Sequence, residues 1–268
     1  MLGAHLAIEQ DALQRVIDAL ARQGYRVIGP TVRDGAIVYE TVGRLDELPV
    51  GWTDQQDGGR YRLERRGDGA LFGYAVGPHS WKSFLHPPIE RLWQARREGD
   101  GFSVIENEEA AEPLAFLGVR ACELRAIAIQ DRVFLAGQYL DKSYKIRRDH
   151  AFIVAINCGQ AGGTCFCVSM DAGPKVDAGF DLALTELIEE GRHMFVLEVG
   201  SAAGADMVRD LPRRPASEEE IKAAEEVVAR TKGQMERSLD TSGLKELLQA
   251  NPNHPSADSG GSRPLIPE

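Results

Sequence analysis

The chain has 268 residues, 43% of them hydrophobic and 27% charged, enough to bury a large core as one big domain or two smaller ones. Its 31 basic and 41 acidic side chains leave a net charge of −10, which opposes the concentrated positive face that nucleic acid requires. No apolar run approaches the roughly 20 residues that cross a bilayer, and the start MLGAHLAIEQDALQRV lacks the basic-then-apolar order of a secretory signal. A cytoplasmic protein with no membrane insertion is expected.

Residues 9–23 place Leu13, Val16, Ile17 and Leu20 at the spacing of an amphipathic helix, with Gly24 as its C-terminal cap. Short β-type runs follow: YRVIG, GAIVYETV, RYRLERR and ALFGYAVG. The arginines of RYRLERR alternate as on the solvent face of a strand, and the glycines of Arg66-Gly67-Asp68-Gly69 predict a hairpin joining this run to ALFGYAVG. Pro87-Pro88 stops one helical turn, and Ile89, Leu92 and Trp93 predict the start of another before a loop at 98–101. From Leu114 the pattern turns to α/β. LAFLGVR and AFIVAIN are apolar runs fit for buried parallel strands, and the helical ELRAIAIQDRVFLAG, with Leu124, Ile127, Ala128 and Val133 or Phe134 on one face, lies between them. FDLALTEL and HMFVLEVG predict two more strands, the first ambiguous with a helix, and SAAGADMVRDL a helix. Ser217 and Glu220 form a capping box for a helix through Met235, and a last helix begins near Thr241.

The fold class expected is therefore mixed α/β (α+β), a parallel β-α-β segment carrying the cysteines beside a smaller β-rich N-terminal lobe. The division drawn is 1–100 for the N-terminal helix and β-rich lobe, 101–215 for the cysteine-bearing α/β domain and 216–250 for the C-terminal helices. A disordered tail of Asn, Pro, Ser, Asp and Gly is expected at 251–268.

The chemistry concentrates in four cysteines. Cys122 and Cys158 are separated by 35 residues, Cys158 and Cys165 by six, and Cys165 and Cys167 by one. If the two apolar strands are parallel neighbours, Cys122 and Cys158 emerge side by side at the carboxyl edge of the sheet, where open α/β sheets build their sites. The loop GQAGGTCFC then returns Cys165 and Cys167 to them, its three glycines letting backbone approach a bulky group. Four thiolates suit a [4Fe–4S] or [2Fe–2S] cluster or an all-thiolate zinc site. Zinc more often takes ligand pairs two to four residues apart, and this chain has no C-x2-C. Unliganded, buried thiols are the remaining alternative.

The six histidines show no metalloprotease spacing, and Walker A, G-x-S-x-G and G-x-G-x-x-G motifs are absent. His79, Trp81, Lys82 and His86 read as a structural loop rather than an anion site, and phosphate cradling by GQAGGT is a secondary reading. No acid/base pair or nucleophile emerges, so no catalytic residue is assigned.

GVRACELRAIAIQDRVF, AFIVAINCGQAGGTCFCVSM and GFDLALTEL resemble the iron–sulfur beta subunits of cytoplasmic sulfhydrogenases, and the A-type subunits of anaerobic sulfite reductases are similar. GPTVRDGAIVYE, GYAVGPHSWKSFLHPP and LDTSGLKELLQANPNHP extend the resemblance over roughly residues 10–255. It implies a subunit passing electrons between a flavin- or nicotinamide-handling partner and a hydrogenase or reductase catalytic subunit, with Cys122, Cys158, Cys165 and Cys167 holding one [4Fe–4S] cluster. A cluster-free scaffold or a structural zinc protein is the alternative. Ala121 stands where the family usually has proline and Glu123 where it usually has aspartate. Family members continue into a ferredoxin-like domain with two C-x2-C-x2-C-x3-C-P runs, whereas SADSGGSRPLIPE follows Pro255 here, so the two further clusters are not expected on this chain.

Overall fold

The computed structural model describes residues 2–91, 93–99, 101–106, 112–136, 138–189 and 191–250. The first third of the chain contains β1 (His5–Glu9), α1 (Ala12–Arg22), β2 (Arg26–Arg33), β3 (Ala36–Thr41), β4 (Trp52–Asp57), β5 (Arg60–Arg65) and the single turn α2 (Lys82–Leu85). Next come β6 (Trp93–Glu98), β7 (Gly101–Glu106), β8 (Leu114–Val119), α3 (Ala121–Leu135), α4 (Lys142–Asp149) and β9 (Ala151–Ile156). The remainder supplies β10 (Leu182–Glu189), β11 (Arg192–Val199), α5 (Ala202–Met207), β12 (Arg214–Pro215), α6 (Glu218–Gly233) and α7 (Leu244–Gln249).

Eight strands join in one mixed sheet, in the order β12-β1-β11-β10-β9-β8-β2-β3. The four central strands β10, β9, β8 and β2 run parallel, and the flanking pairs are antiparallel. The fold class is thus mixed α/β, and the predicted β-α-β unit is present as β8, α3, α4 and β9. Strands on both sides of the division at residue 100 hydrogen-bond within this one sheet.

Apolar runs buried on both faces make β8 and β9 central, and the period of two sorts their side chains. Ala115, Leu117, Phe152 and Val154 share a core with Leu13, Val16, Ile17 and Leu20 of α1. Phe116, Ile153 and Ala155 face the opposite core, with Ala121, Leu124 and Ile127 of α3 and Tyr144 of α4. Each fully buried Leu or Ile contributes about 1.5–3 kcal/mol relative to exposure. Helix α6 covers a third cluster, setting Ala224 and Val227 on Ala7, Met194 and Val196. Its start is the capping box read from the sequence: Glu220 N donates to Ser217 Oγ at 3.2 Å, and Ser217 N donates to Glu220 Oε2 at 3.0 Å.

Several local expectations differ from the structure. RYRLERR is indeed a strand, β5, but its partner is β4, not ALFGYAVG. Residues 70–75 are buried one after another, so no solvent face exists for a period of two, and the segment crosses the protein without strand pairing. The helix expected from Ile89 is replaced at Trp93 by β6, because Phe102, Val104 and Ile105 supply a β-prone partner strand in β7. Ala128 and Val133 are exposed on α3, whose buried face is Ala121, Leu124 and Ile127. Helix α6 ends at Gly233, short of Met235. The tail expected at 251–268 lies outside the described residues.

Candidate functional site

The parallel register sets the site. Val119 of β8 lies opposite Ala155 of β9, so Cys122 and Cys158, each three residues further on, leave the sheet at the same edge. Cys122 falls in the first turn of α3, where the positive end of the helix favours a thiolate. Cys158 is tied down at both backbone groups: its N–H donates to the Pro174 carbonyl at 3.2 Å, and its carbonyl accepts from Thr231 Oγ1 of α6 at 2.7 Å.

The segment after Cys158 returns the other two thiols. Gly162 N donates to Cys165 Sγ at 3.3 Å. Cys167 Sγ lies 3.9 Å from Met235 Sδ, just beyond α6. Gly173 closes the loop at φ +147°, and a Cβ there would stand 3.3 Å from Cys167 Sγ and 3.1 Å from Ala121 Cβ. Only a glycine lets the loop press against the start of α3 in this way. The glycines of GQAGGT have a different use from the one expected. A Cβ on Gly163 would fall 2.3 Å from the Gln56 carbonyl oxygen, and one on Gly162 would fall 2.9 Å from Ala75 Cβ. They admit the neighbouring chain. Two amides of this loop are committed, Ala161 N to Gln234 Oε1 and Gly162 N to Cys165 Sγ.

All four cysteines are free thiols, each half-buried. Burial pushes the Cys122 thiol up, and the nearby Cys158, Glu123, Cys167 and Cys165 add to the shift. Burial likewise raises Cys158, against the pull of Arg120. Cys167 is pushed up to about 11 by burial, then by Cys158 and Cys165. The four thiols therefore lie within electrostatic reach of one another, although 35 residues separate the first from the second. Among the described residues, no group of three or more His, Cys, Asp or Glu side chains is placed so that it could hold a metal ion. Thiolates around one zinc at a Zn–S distance of about 2.3 Å would nearly touch, whereas a cuboidal cluster holds its thiolates further apart. Four free thiols and an amide donating to one of the sulfurs are donor types that all-thiolate zinc and iron–sulfur sites both use.

A polar group behind the cysteines was not singled out from the sequence as part of the site. Arg120, 1% exposed, ends β8, and its Nη2 donates to the carbonyls of Phe72 and Tyr74 at 3.0 Å each. Glu123 accepts from the Arg120 amide at 2.9 Å and from the Tyr39 hydroxyl at 2.6 Å. Burial raises the Glu123 carboxyl while those two bonds oppose the shift. The signal was present: a guanidinium directly after six apolar residues, two positions before a cysteine. The histidine segment is structural. Trp81 stacks on Tyr39 at 3.9 Å, His86 stacks on Phe134 at 4.6 Å, and His79 is exposed. A cavity of about 300 Å³, lined by Arg66, Phe72, Asn157, Gly159, Glu186 and Arg230 among others, opens nearby without any cysteine in its wall.

No protein family and no curated protein matches the chain. No helix among the described residues is long and apolar enough to cross a membrane.

Proposed function

We propose that this chain is an iron–sulfur electron-transfer subunit of a cytoplasmic redox complex, with one [4Fe–4S] cluster held by Cys122, Cys158, Cys165 and Cys167. What supports the reading is that four free thiols lie on two stretches of chain, the start of α3 and residues 157–176, which leave β8 and β9 at one edge and meet at Gly173 between Cys167 Sγ and Cys122 N. When bound, the cluster supplies one-electron storage and relay. The protein's own part is to present the thiolates, exclude water and fix their surroundings. Helix α3 directs its positive end at Cys122, Gly162 N hydrogen-bonds to Cys165, and Thr231 of α6 anchors the backbone of Cys158.

The partners follow from the same motifs. Their resemblance to sulfhydrogenase beta subunits and to the A-type subunits of anaerobic sulfite reductases favours a flavin- or nicotinamide-handling subunit on one side. A hydrogenase or reductase catalytic subunit stands on the other. Phe166, Val168 and Met170, interleaved with Cys165 and Cys167, are 46%, 40% and 47% exposed and give the cysteine edge an apolar rim of the kind protein partners cover.

Electron paramagnetic resonance of the anaerobically reconstituted, dithionite-reduced chain tests the reading. A spin-½ iron–sulfur signal near one per chain, absent from the Cys165→Ser/Cys167→Ser variant, is expected. A signal that persists in that variant, or none in the native chain, contradicts it; a native chain that takes up zinc instead is the structural zinc protein.

A further inference from the structure

Helix α6 is fixed by its apolar face: Ala224, Val227 and Val228 are buried, the first two against Ala7, Met194 and Val196 of the sheet. The helix ends at Gly233, and residues 234–239 continue as neither helix nor paired strand. This short stretch nevertheless grips the cysteine-bearing segment at successive points. Ala161 N donates to Gln234 Oε1 at 3.1 Å, the Met235 thioether lies 3.9 Å from Cys167 Sγ, and Leu239 N donates to Ser169 Oγ at 3.0 Å. Arg237 makes the widest tie. Its Nε donates to the Gly163 carbonyl at 2.9 Å, and its Nη2 pairs with Asp57 Oδ1, at the end of β4, at 3.2 Å. These contacts lie near solvent: the Arg237 side chain is 49% exposed and Leu239 is 48% exposed. A stretch held in this way opens locally at far lower cost than the packed sheet beneath it.

We propose that residues 234–239 are a strap that opens and closes over the cysteine segment, with Arg237 as its latch. Open, the strap admits the cluster to Cys158, Cys165 and Cys167; closed, it sets Met235 against Cys167 and keeps solutes from the site. The proposal rests on the reading of the cysteines as cluster ligands. Thr231, in the last turn of α6, keeps the Cys158 carbonyl at 2.7 Å, so opening from Gln234 onward frees Ala161, Gly163, Cys167 and Ser169 without disturbing the sheet. Arg237 acts through the loop backbone and is a positioning residue. The purely structural alternative is a static tie that never releases the segment.

Iron-free full chain, native and as Arg237→Ala and Arg237→Lys, is treated anaerobically with iodoacetamide, and each cysteine is followed by mass spectrometry. Labelling through local opening scales with the open population. Loss of the bonds from one charged donor should raise that population, and with it the Cys167 rate, about tenfold. Cys122, on α3, is the internal reference and should keep its native rate. Arg237→Lys, which retains a charge for Asp57, should fall between. Equal Cys167 rates in native and Arg237→Ala chain overturn the proposal. After reconstitution, Arg237→Ala should also lose cluster absorption to a ferrous chelator about tenfold faster than native chain of equal iron content. Native rates of cluster loss in that variant overturn the strap and spare the cluster reading. A native chain that takes up no iron and sulfide overturns that reading and the strap's role with it. Should Arg237→Ala not fold, hydrogen exchange of the native chain decides. The amides of Ala161 and Leu239 should exchange together, ahead of those of α6, and a Leu239 amide protected as long as α6 overturns the strap.

Discussion

Two irregular segments border the same sheet edge, and they differ in burial and in the chemistry they carry. Residues 66–76 are mostly buried and have no strand partner, yet side chains, most of them from elsewhere in the chain, hold much of their backbone. Leu71 N and Phe72 N donate to the Glu186 carboxylate at 2.7 and 3.0 Å, and Ala75 N to Asp54 at 2.6 Å. Arg120 takes the carbonyls of Phe72 and Tyr74, Arg66 that of Gly73, and Gln56 that of Val76. Residues 157–176 are more exposed and carry three of the four cysteines. They are anchored along their length by side chains from elsewhere: Thr231 at the Cys158 carbonyl, Gln234 at Ala161 N, Arg237 at the Gly163 carbonyl, Gln56 at Thr164 and Arg125 at the Asp171 carbonyl. The first segment has its backbone widely held, while the buried Tyr74 hydroxyl finds no partner among the described residues. The second carries three of the four free thiols, where, on the proposed reading, a bound cluster would add further ties.

The comparison breaks most readily at Cys158. Cys158→Ser should abolish iron retention; loss of even an outer-shell partner costs about 10–100-fold in metal affinity, and a ligand should cost more. The reconstituted chain should lose its visible absorption and its protection against limited proteolysis within 157–176. Full iron in Cys158→Ser would place the ligands elsewhere. The first segment answers to a different change. Glu186→Ala strands the amides of Leu71 and Phe72 and removes the partner of His193 Nε2 at 2.7 Å. At about 1–3 kcal/mol for each unsatisfied buried group, a loss near 3 kcal/mol is expected in chemical denaturation. It should appear equally with and without iron, whereas a loss confined to one form would tie Glu186 to the metal.

A smaller effect is expected at α6, which braces the second segment through Thr231. Its Glu220 carboxyl is held at about 2, below its ordinary 4.5, chiefly by the Arg214 hydrogen bond and against some desolvation. A carboxyl with a depressed folded-state value stabilises above its unfolded value and loses that contribution as pH falls through the folded one. The increment should be fully present above about pH 4.5 and fade towards pH 2. Native protein should therefore lose more stability on acidification over that window than Glu220→Gln, and parallel acid titrations would remove the effect from α6.

What could be read in advance follows the same contrast. Strands β8 and β9 were legible because parallel strands buried on both faces are continuous apolar runs, and their parallel pairing brings Cys122 to Cys158. The capping box at Ser217 was legible because it is local. Residues 70–75 were not, since an apolar run that no strand pairs is held by Glu186, more than a hundred residues away. The ribbon β6–β7 was missed because Ile89 and Trp93 imitate a helical repeat while the strand partner lies beyond the turn. Arg120 stood in plain view beside Cys122, but its value depends on carbonyls of residues 72 and 74 that sequence spacing does not connect to it.

Iron, acid-labile sulfide and zinc analysis of anaerobically purified full chain, with an absorption spectrum, tests the central claim most directly. About four irons and four sulfides per chain are predicted, as a single four-thiolate [4Fe–4S] centre requires, with broad visible absorption and little zinc. A colourless chain that takes up neither iron nor sulfide on reconstitution contradicts it and leaves four thiols on a cluster-free scaffold.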